Sequence, residues 1–370
     1  MVINRWYQII ITVMVIFVSL TGLSHGSKMV THDIDSPSMA KNMVGWSGLR
    51  QVMVYLPDGY ESNNYSYPVI YWIPGWTGYE SNIYQRVLDD AIRTRKIPAT
   101  IAVFVDAHEG ILFLNSPVFG NGEDFIIKEL IPFIDRTYRT IPDMYNRCLA
   151  GFSAGGFSAW ALPMLNPGIW GAVGTNDGMC GLPWWIIIGK DEIPELIKEK
   201  ASKWLDDNLL LHYTFPDNVN GYNNINQFYA KITWQFAARV TPNPNSQLFA
   251  DFAMTPDGKW NADIREIWRQ YSLLDPKGIA KHRETLRNIS FSIIVVTKDF
   301  DQTNAFENEH FVEMLKLAGV SVTRLDMPGL HADYMPERFI ALAESMLISL
   351  NVVSVESKGK LATTWGEMKR

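Results

Sequence analysis

The chain reads as an α/β protein: a mostly parallel, doubly wound sheet with a helical insert. Two observations lead there. Short apolar runs rich in β-branched and aromatic residues alternate with stretches of helical period, the pattern of repeated βαβ units. Residues able to do chemistry follow the carboxyl ends of those runs, where open parallel sheets bind ligands.

Taken in order, the elements are these. Arg5 precedes an apolar run, Ile9 to Leu23, and small residues Ser24 and Gly26 follow. That is a signal-peptide pattern, so residues 1–26 are expected to be a cleaved leader. The run is shorter than the roughly 20 residues that span a bilayer, and no stable span is expected once it is removed. An uncleaved leader would instead anchor the chain. Residues 27–45 read as a loose lead-in. Leu49 to Leu56 is the first expected strand, stopped by Pro57-Asp58-Gly59. Further strands centre near Val69, Ile101, Leu149, Val173, Ile293 and Val322. Helices are expected over Ile83 to Lys96, Phe125 to Tyr138, Phe157 to Leu165 and Glu307 to Ala318. Gly181 to Ile279 breaks this rhythm with helical pieces and the stretch Thr241-Pro-Asn-Pro-Asn245, and is read as an insert over the active site. Pro336 starts a last helix, and residues 351–370 form a polar, loose tail. Residues 27–350 are thus one domain carrying an insert at about 181–279.

Gly151-Phe152-Ser153-Ala154-Gly155 fits G-x-S-x-G. It follows a strand and opens a helix, the context of a nucleophile elbow, in which a sharp turn holds a serine hydroxyl at the strand end. A serine hydroxyl is a weak nucleophile and needs a base within hydrogen-bond reach. Downstream, Ser290 to Val296 reads as a buried strand that runs into Thr297-Lys298-Asp299-Phe300-Asp301, and Val320 to Met327 ends in Pro328-Gly329-Leu330-His331. Asp299 is the expected acid, with Asp301 the alternative, and His331 the expected base. Imidazole titrates near neutrality and can carry a proton both ways, while a carboxylate fixes its tautomer. Among the other histidines His108 is the rival, since it follows the strand near Ile101. His310 is expected to be solvated on a helix face. The strand Tyr67 to Ile73 ends in Pro74-Gly75-Trp76-Thr77-Gly78. The backbone amides of Trp76 and Ala154 are the expected oxyanion donors.

These segments, with Leu114 to Asp124, Glu129 to Asp135 and Tyr138-Arg139-Thr140-Ile141, resemble the esterase family of α/β-hydrolases. That family holds S-formylglutathione hydrolase (esterase D), secreted feruloyl and acetylxylan esterases, and the mycobacterial mycolyltransferases. The likeness runs from about Met43 to about Leu347 and is weakest from Leu182 to Ile279. It implies the α/β-hydrolase fold, a triad of Ser153, Asp299 and His331, and hole amides at Trp76 and Ala154. Two positions depart from the family pattern. Pro74-Gly75 stands where His-Gly is usual, and Ala154 stands where the elbow often carries Met.

The 370 residues are 47% hydrophobic, with a formal net charge of −6, enough for a sizeable core. No basic run or Arg-rich stripe points to nucleic acid. Thirteen tryptophans are many for this length; they are read as core, with an aromatic-lined acyl or sugar site as the alternative. Cys148 and Cys180 fall at opposite ends of neighbouring strands, roughly 10 Å or more apart against a bridging limit near 7 Å, and are expected to remain separate thiols. No Cys/His spacing suggests a metal, and the expected chemistry calls for no cofactor. The expected function is a secreted or periplasmic serine carboxylic-ester hydrolase for small to medium acyl esters, its substrate a small-molecule or carbohydrate-linked ester. An acyltransferase of the mycolyltransferase type, a thioesterase of the S-formylglutathione type and an inactive hydrolase-like binding module are the alternatives. The sequence does not speak to oligomeric state.

Overall fold

The computed structural model describes residues 26–75, 81–107, 112–179, 234–246, 249–253, 261–296 and 303–352. An eight-stranded sheet organises them. Its strands are β1 (Lys28–Asp35), β2 (Leu49–Leu56), β3 (Val69–Ile73), β4 (Ile101–Val105), β7 (Arg147–Phe152), β8 (Ala172–Asn176), β9 (Ser290–Val296) and β10 (Ser321–Met327). The spatial order is β1-β2-β4-β3-β7-β8-β9-β10. A separate two-stranded ribbon joins β5 (Asn115–Ser116) and β6 (Gly120–Asn121). β1 and β2 pair antiparallel, as do β2 and β4, and every pair from β4 to β10 is parallel.

Every residue of β3, β4 and β8 is buried. Such strands read as continuous apolar runs because helices cover both faces of a parallel sheet. On one face, α1 (Ser81–Arg93) and the last helix pack. There Phe339 meets Trp72, Tyr84 and Phe104 with ring centroids 5.1, 5.2 and 5.8 Å apart. On the other face lies α2 (Ala154–Leu165), buried from Ala154 to Met164, with Trp160, Trp170, Trp234 and Trp268 in the same core. Those four tryptophans are therefore packing residues. Trp76, Trp184, Trp185, Trp204 and Trp260 lie outside the described residues, as does most of the predicted insert.

Three expectations change. The lead-in is ordered: Lys28–Asp35 is an edge strand in full register with β2. Its exposed positions are Lys28, Thr31, Asp33 and Asp35, and charged residues on a sheet edge discourage further pairing. That polarity is what made it read as loose. His310 is buried rather than solvated, its Nε2 3.3 Å from the carbonyl oxygen of Leu274, and burial lowers its pKa. Helix α2 starts at Ala154, three residues earlier than its apolar run suggests, because the two glycines after Ala154 belong to it. The predicted strands otherwise fall in place. Cys148 is a buried free thiol, and Cys180 lies outside the described residues.

Candidate active site

β7 is the sheet's central strand, flanked by β3 and β8, and it delivers Ser153 to the carboxyl edge. Ser153 has φ 53° and ψ −120°, a conformation rare for any residue but glycine. Strain of this kind persists only where its surroundings over-determine it. The flanking glycines show how. A Cβ on Gly151 would collide with the carbonyl of Gly155, and a Cβ on Gly155 would collide with the carbonyls of Ile73 and Pro74. The turn therefore closes on itself and against the end of β3. Ser153 occupies the N-cap position of α2, yet its side chain makes no capping bond. The hydroxyl is thus not spent on the helix, as it is at an ordinary serine N-cap.

Around this turn the backbone is tied on two sides. Ser153 N–H donates to the Asn176 carbonyl at 3.2 Å, and Met179 N–H donates to the Ser153 carbonyl at 3.0 Å. A Cβ on Gly75 would lie 3.2 Å from Ser153 Cβ, so the loop leaving β3 passes beside the serine. Ala154 is buried as the first residue of α2. Trp76, the other expected oxyanion donor, lies just beyond the described residues.

The loop after β10 brings His331 to the same place. Its ring stacks on Phe152, the residue before Ser153, with centroids 4.6 Å apart and planes tilted by 37°. Its Nδ1 stands 2.5 Å from Oδ2 of Asp177. A carboxylate can only accept, so Nδ1 carries a hydrogen, and in the neutral ring Nε2 is then the accepting nitrogen. Asp177 is fully buried, while the His331 side chain keeps 21% of its surface exposed. The pair thus has one end inside the protein and one toward solvent. Arg338, fully buried at the start of the last helix (Met335–Ser349), holds the loop from below. Its guanidinium donates to the carbonyls of Pro328, Leu330 and His331 at 2.7, 2.9 and 2.9 Å.

Of the predicted residues, Ser153 and His331 are thus brought together through Phe152 and the β8 loop. Asp299, its alternative Asp301 and the rival base His108 lie outside the described residues. Asp177 was missed. The sequence signal existed, since Asp177 ends the run Gly171 to Asp177 as Asp299 follows the run Ser290 to Val296, but it was read as part of its strand. Among the described residues no three His, Cys, Asp or Glu side chains group closely enough to hold a metal ion.

Residues 46–219 match the model of a protein family described as "Putative esterase". Over 165 residues the chain is 30% identical to a protein of Xylanibacter ruminicola named endo-1,4-beta-xylanase/feruloyl esterase, which covers 41% of this chain and 21% of that one. Over 160 residues it is 31% identical to a protein of Mycobacterium tuberculosis named as an esterase, covering 40% of this chain and 33% of that one. The chain therefore spans about a fifth to a third of the length of these relatives. Among solved structures it is similar to a ferulic acid esterase, with 18% identity and TM-score 0.56 over 89% of this chain and all of that one. It is also similar to an S-formylglutathione hydrolase from Staphylococcus aureus, with 12% identity and TM-score 0.53 over 87% of this chain and 99% of that one. At such identities the likeness speaks to fold, and the fold is that of the α/β-hydrolases. Among the described residues no helix is long and apolar enough to cross a membrane.

Proposed function

We propose that the chain is a serine carboxylic-ester hydrolase working through an acyl-enzyme. The observation that carries this reading is Ser153, held in a strained elbow with its hydroxyl free of capping, beside a histidine whose far ring nitrogen meets a buried carboxylate. Ser153 Oγ attacks the ester carbonyl while His331 Nε2 takes its proton. The tetrahedral oxyanion accepts hydrogen bonds from the amides of Ala154, at the start of α2, and Trp76. Collapse breaks the C–O bond, and His331 returns the proton to the departing alcohol. Water then attacks the acyl-enzyme with His331 again as base, and the acid leaves. A carboxylate on the Nδ1 side keeps the ring in the tautomer this requires; the sequence expectation for that role is Asp299, and the carboxylate that stands at Nδ1 is Asp177.

The substrate proposal is an ester of a small to medium acid on a carbohydrate or aryl alcohol. It draws support from relatives named feruloyl esterase and from the leader pattern at residues 1–26, which would carry the enzyme out of the cytoplasm as a secreted or periplasmic protein. A panel of acetyl, butyryl, long-chain and feruloyl p-nitrophenyl or methyl esters tests it. Highest kcat/KM among the acetyl, butyryl and feruloyl esters supports the proposal, and a maximum at long-chain acyl groups rejects it.

A further inference from the structure

We propose that Asp177, at the end of β8, is the carboxylate that positions His331 for proton transfer. The inference rests on the serine-hydrolase reading and adds the residue that completes its proton relay. Three observations converge. Asp177 Oδ2 lies 2.5 Å from His331 Nδ1, the ring atom opposite the one that must face the serine. The carboxylate is fully buried, and its second oxygen, Oδ1, has no hydrogen-bond partner. A buried carboxylate is costly unless paired, so the imidazole is the group that makes this burial tolerable. Each turnover in which His331 accepts a proton turns that contact into an ion pair.

Asp177 is also held more firmly than a surface turn would hold it. Its φ of 45° is a strained value for a non-glycine residue. The neighbouring backbone is pinned from three elements. Asn176 and Met179 bond to Ser153, Trp160 Nε1 of α2 donates to the Met179 carbonyl at 3.0 Å, and Asn308 Nδ2 donates to the Gly178 carbonyl at 3.0 Å. Gly156 and Gly178 pack backbone to backbone, and a Cβ on either would meet the other's Cα. The acid therefore rides on the same rigid unit as the nucleophile. Serine and acid stand at the ends of adjacent parallel strands, β7 and β8, and only the histidine arrives from a distant loop.

In this arrangement the Nδ1 hydrogen stays on the ring throughout. The carboxylate accepts its hydrogen bond, fixes the tautomer, and stabilises the imidazolium formed when Nε2 takes the serine proton.

The test compares Asp177→Asn with Asp299→Asn on p-nitrophenyl acetate, alongside proton NMR of the far-downfield Nδ1–H resonance of His331. The expected result is that Asp177→Asn lowers kcat by up to about 10⁴-fold, with KM much less changed, and removes or shifts that resonance. Asp299→Asn is expected to keep the resonance and stay within about tenfold of the parent. Loss of resonance and rate in Asp299→Asn, with Asp177→Asn near parental, overturns the proposal. Should Asp177→Asn fail to fold, Asp299→Asn decides alone, because it leaves Asp177 in place. A parallel Ser153→Ala control separates the two levels. If it keeps parental turnover, the serine-hydrolase reading itself fails; if it is dead and only Asp299→Asn matches it, the Asp177 assignment alone fails.

Discussion

The rings of Phe152 and His331 lie 4.6 Å apart, tilted by 37°. This contact joins the two parts of the site that are farthest apart in sequence. Phe152 is the last residue of β7, so its ring direction is set by the strand, and the strand end is set by the elbow. The imidazole is thereby located on two sides, by Phe152 on its face and by Asp177 at Nδ1. Phe152→Ala should leave the fold intact, since the residue is only partly buried, but free the ring to wander. Misplacement of a base by about 1 Å can cost on the order of 10²-fold, so kcat is expected to fall by about that much. Unchanged kcat for a folded Phe152→Ala would mean that the stacking has no positioning role.

Arg338 is the second support of the histidine loop. Three of its donated bonds end on the carbonyls of Pro328, Leu330 and His331. Arg338→Met removes them and leaves three loop carbonyls without these donors, at about 1–3 kcal/mol for each acceptor that stays dry. The expected outcome is a lower midpoint of denaturant unfolding, together with a fall in kcat. In Arg338→Ala, free guanidinium in solution should restore part of the activity by refilling the vacated place. A variant with parental stability and kcat would contradict the clamp.

Cys148 offers a pH prediction. Burial pushes its thiol well above the ordinary value of 9.0. In the unfolded chain the thiol ionises near that ordinary value, and in the folded chain it stays protonated. The unfolded state therefore binds fewer protons above pH ~9, so this group's contribution is complete below that pH and is lost as pH rises beyond it, at up to about 1.4 kcal/mol per pH unit. The fall in stability from pH 9 to 10 should be shallower in Cys148→Ala than in the parent. Iodoacetamide should leave Cys148 unmodified in the native protein and modify it in denaturant. Rapid labelling of Cys148 under native conditions would contradict its burial.

The elements legible in the sequence were those with a local cause. Gly151 and Gly155 mark the turn at Ser153 because a side chain at either collides with nearby backbone. The buried runs of β3, β4, β8 and β9 announce themselves because both faces are covered. What stayed illegible had no local cause. β1 has polar and charged residues at alternate positions, so its place in the sheet comes from its register with β2 rather than from its own pattern. The rule of a carboxylate just past the end of a late strand points to Asp299, while Asp177 reads as the last residue of its own strand. What brings Asp177 to His331 is a loop 154 residues away along the chain, and no pattern within a strand carries that. Nor did the helical pattern around His310 reveal that the face it occupies packs against Leu274.

The central claim is that Ser153 is the nucleophile. Fluorophosphonate labelling of the native protein, read by peptide mass spectrometry, tests it most directly. The account predicts stoichiometric modification on the peptide containing Ser153, abolished in Ser153→Ala, with turnover of p-nitrophenyl acetate lost in step by roughly 10⁴-fold or more. Modification at another residue, or turnover in Ser153→Ala above a few per cent of parental, would contradict it.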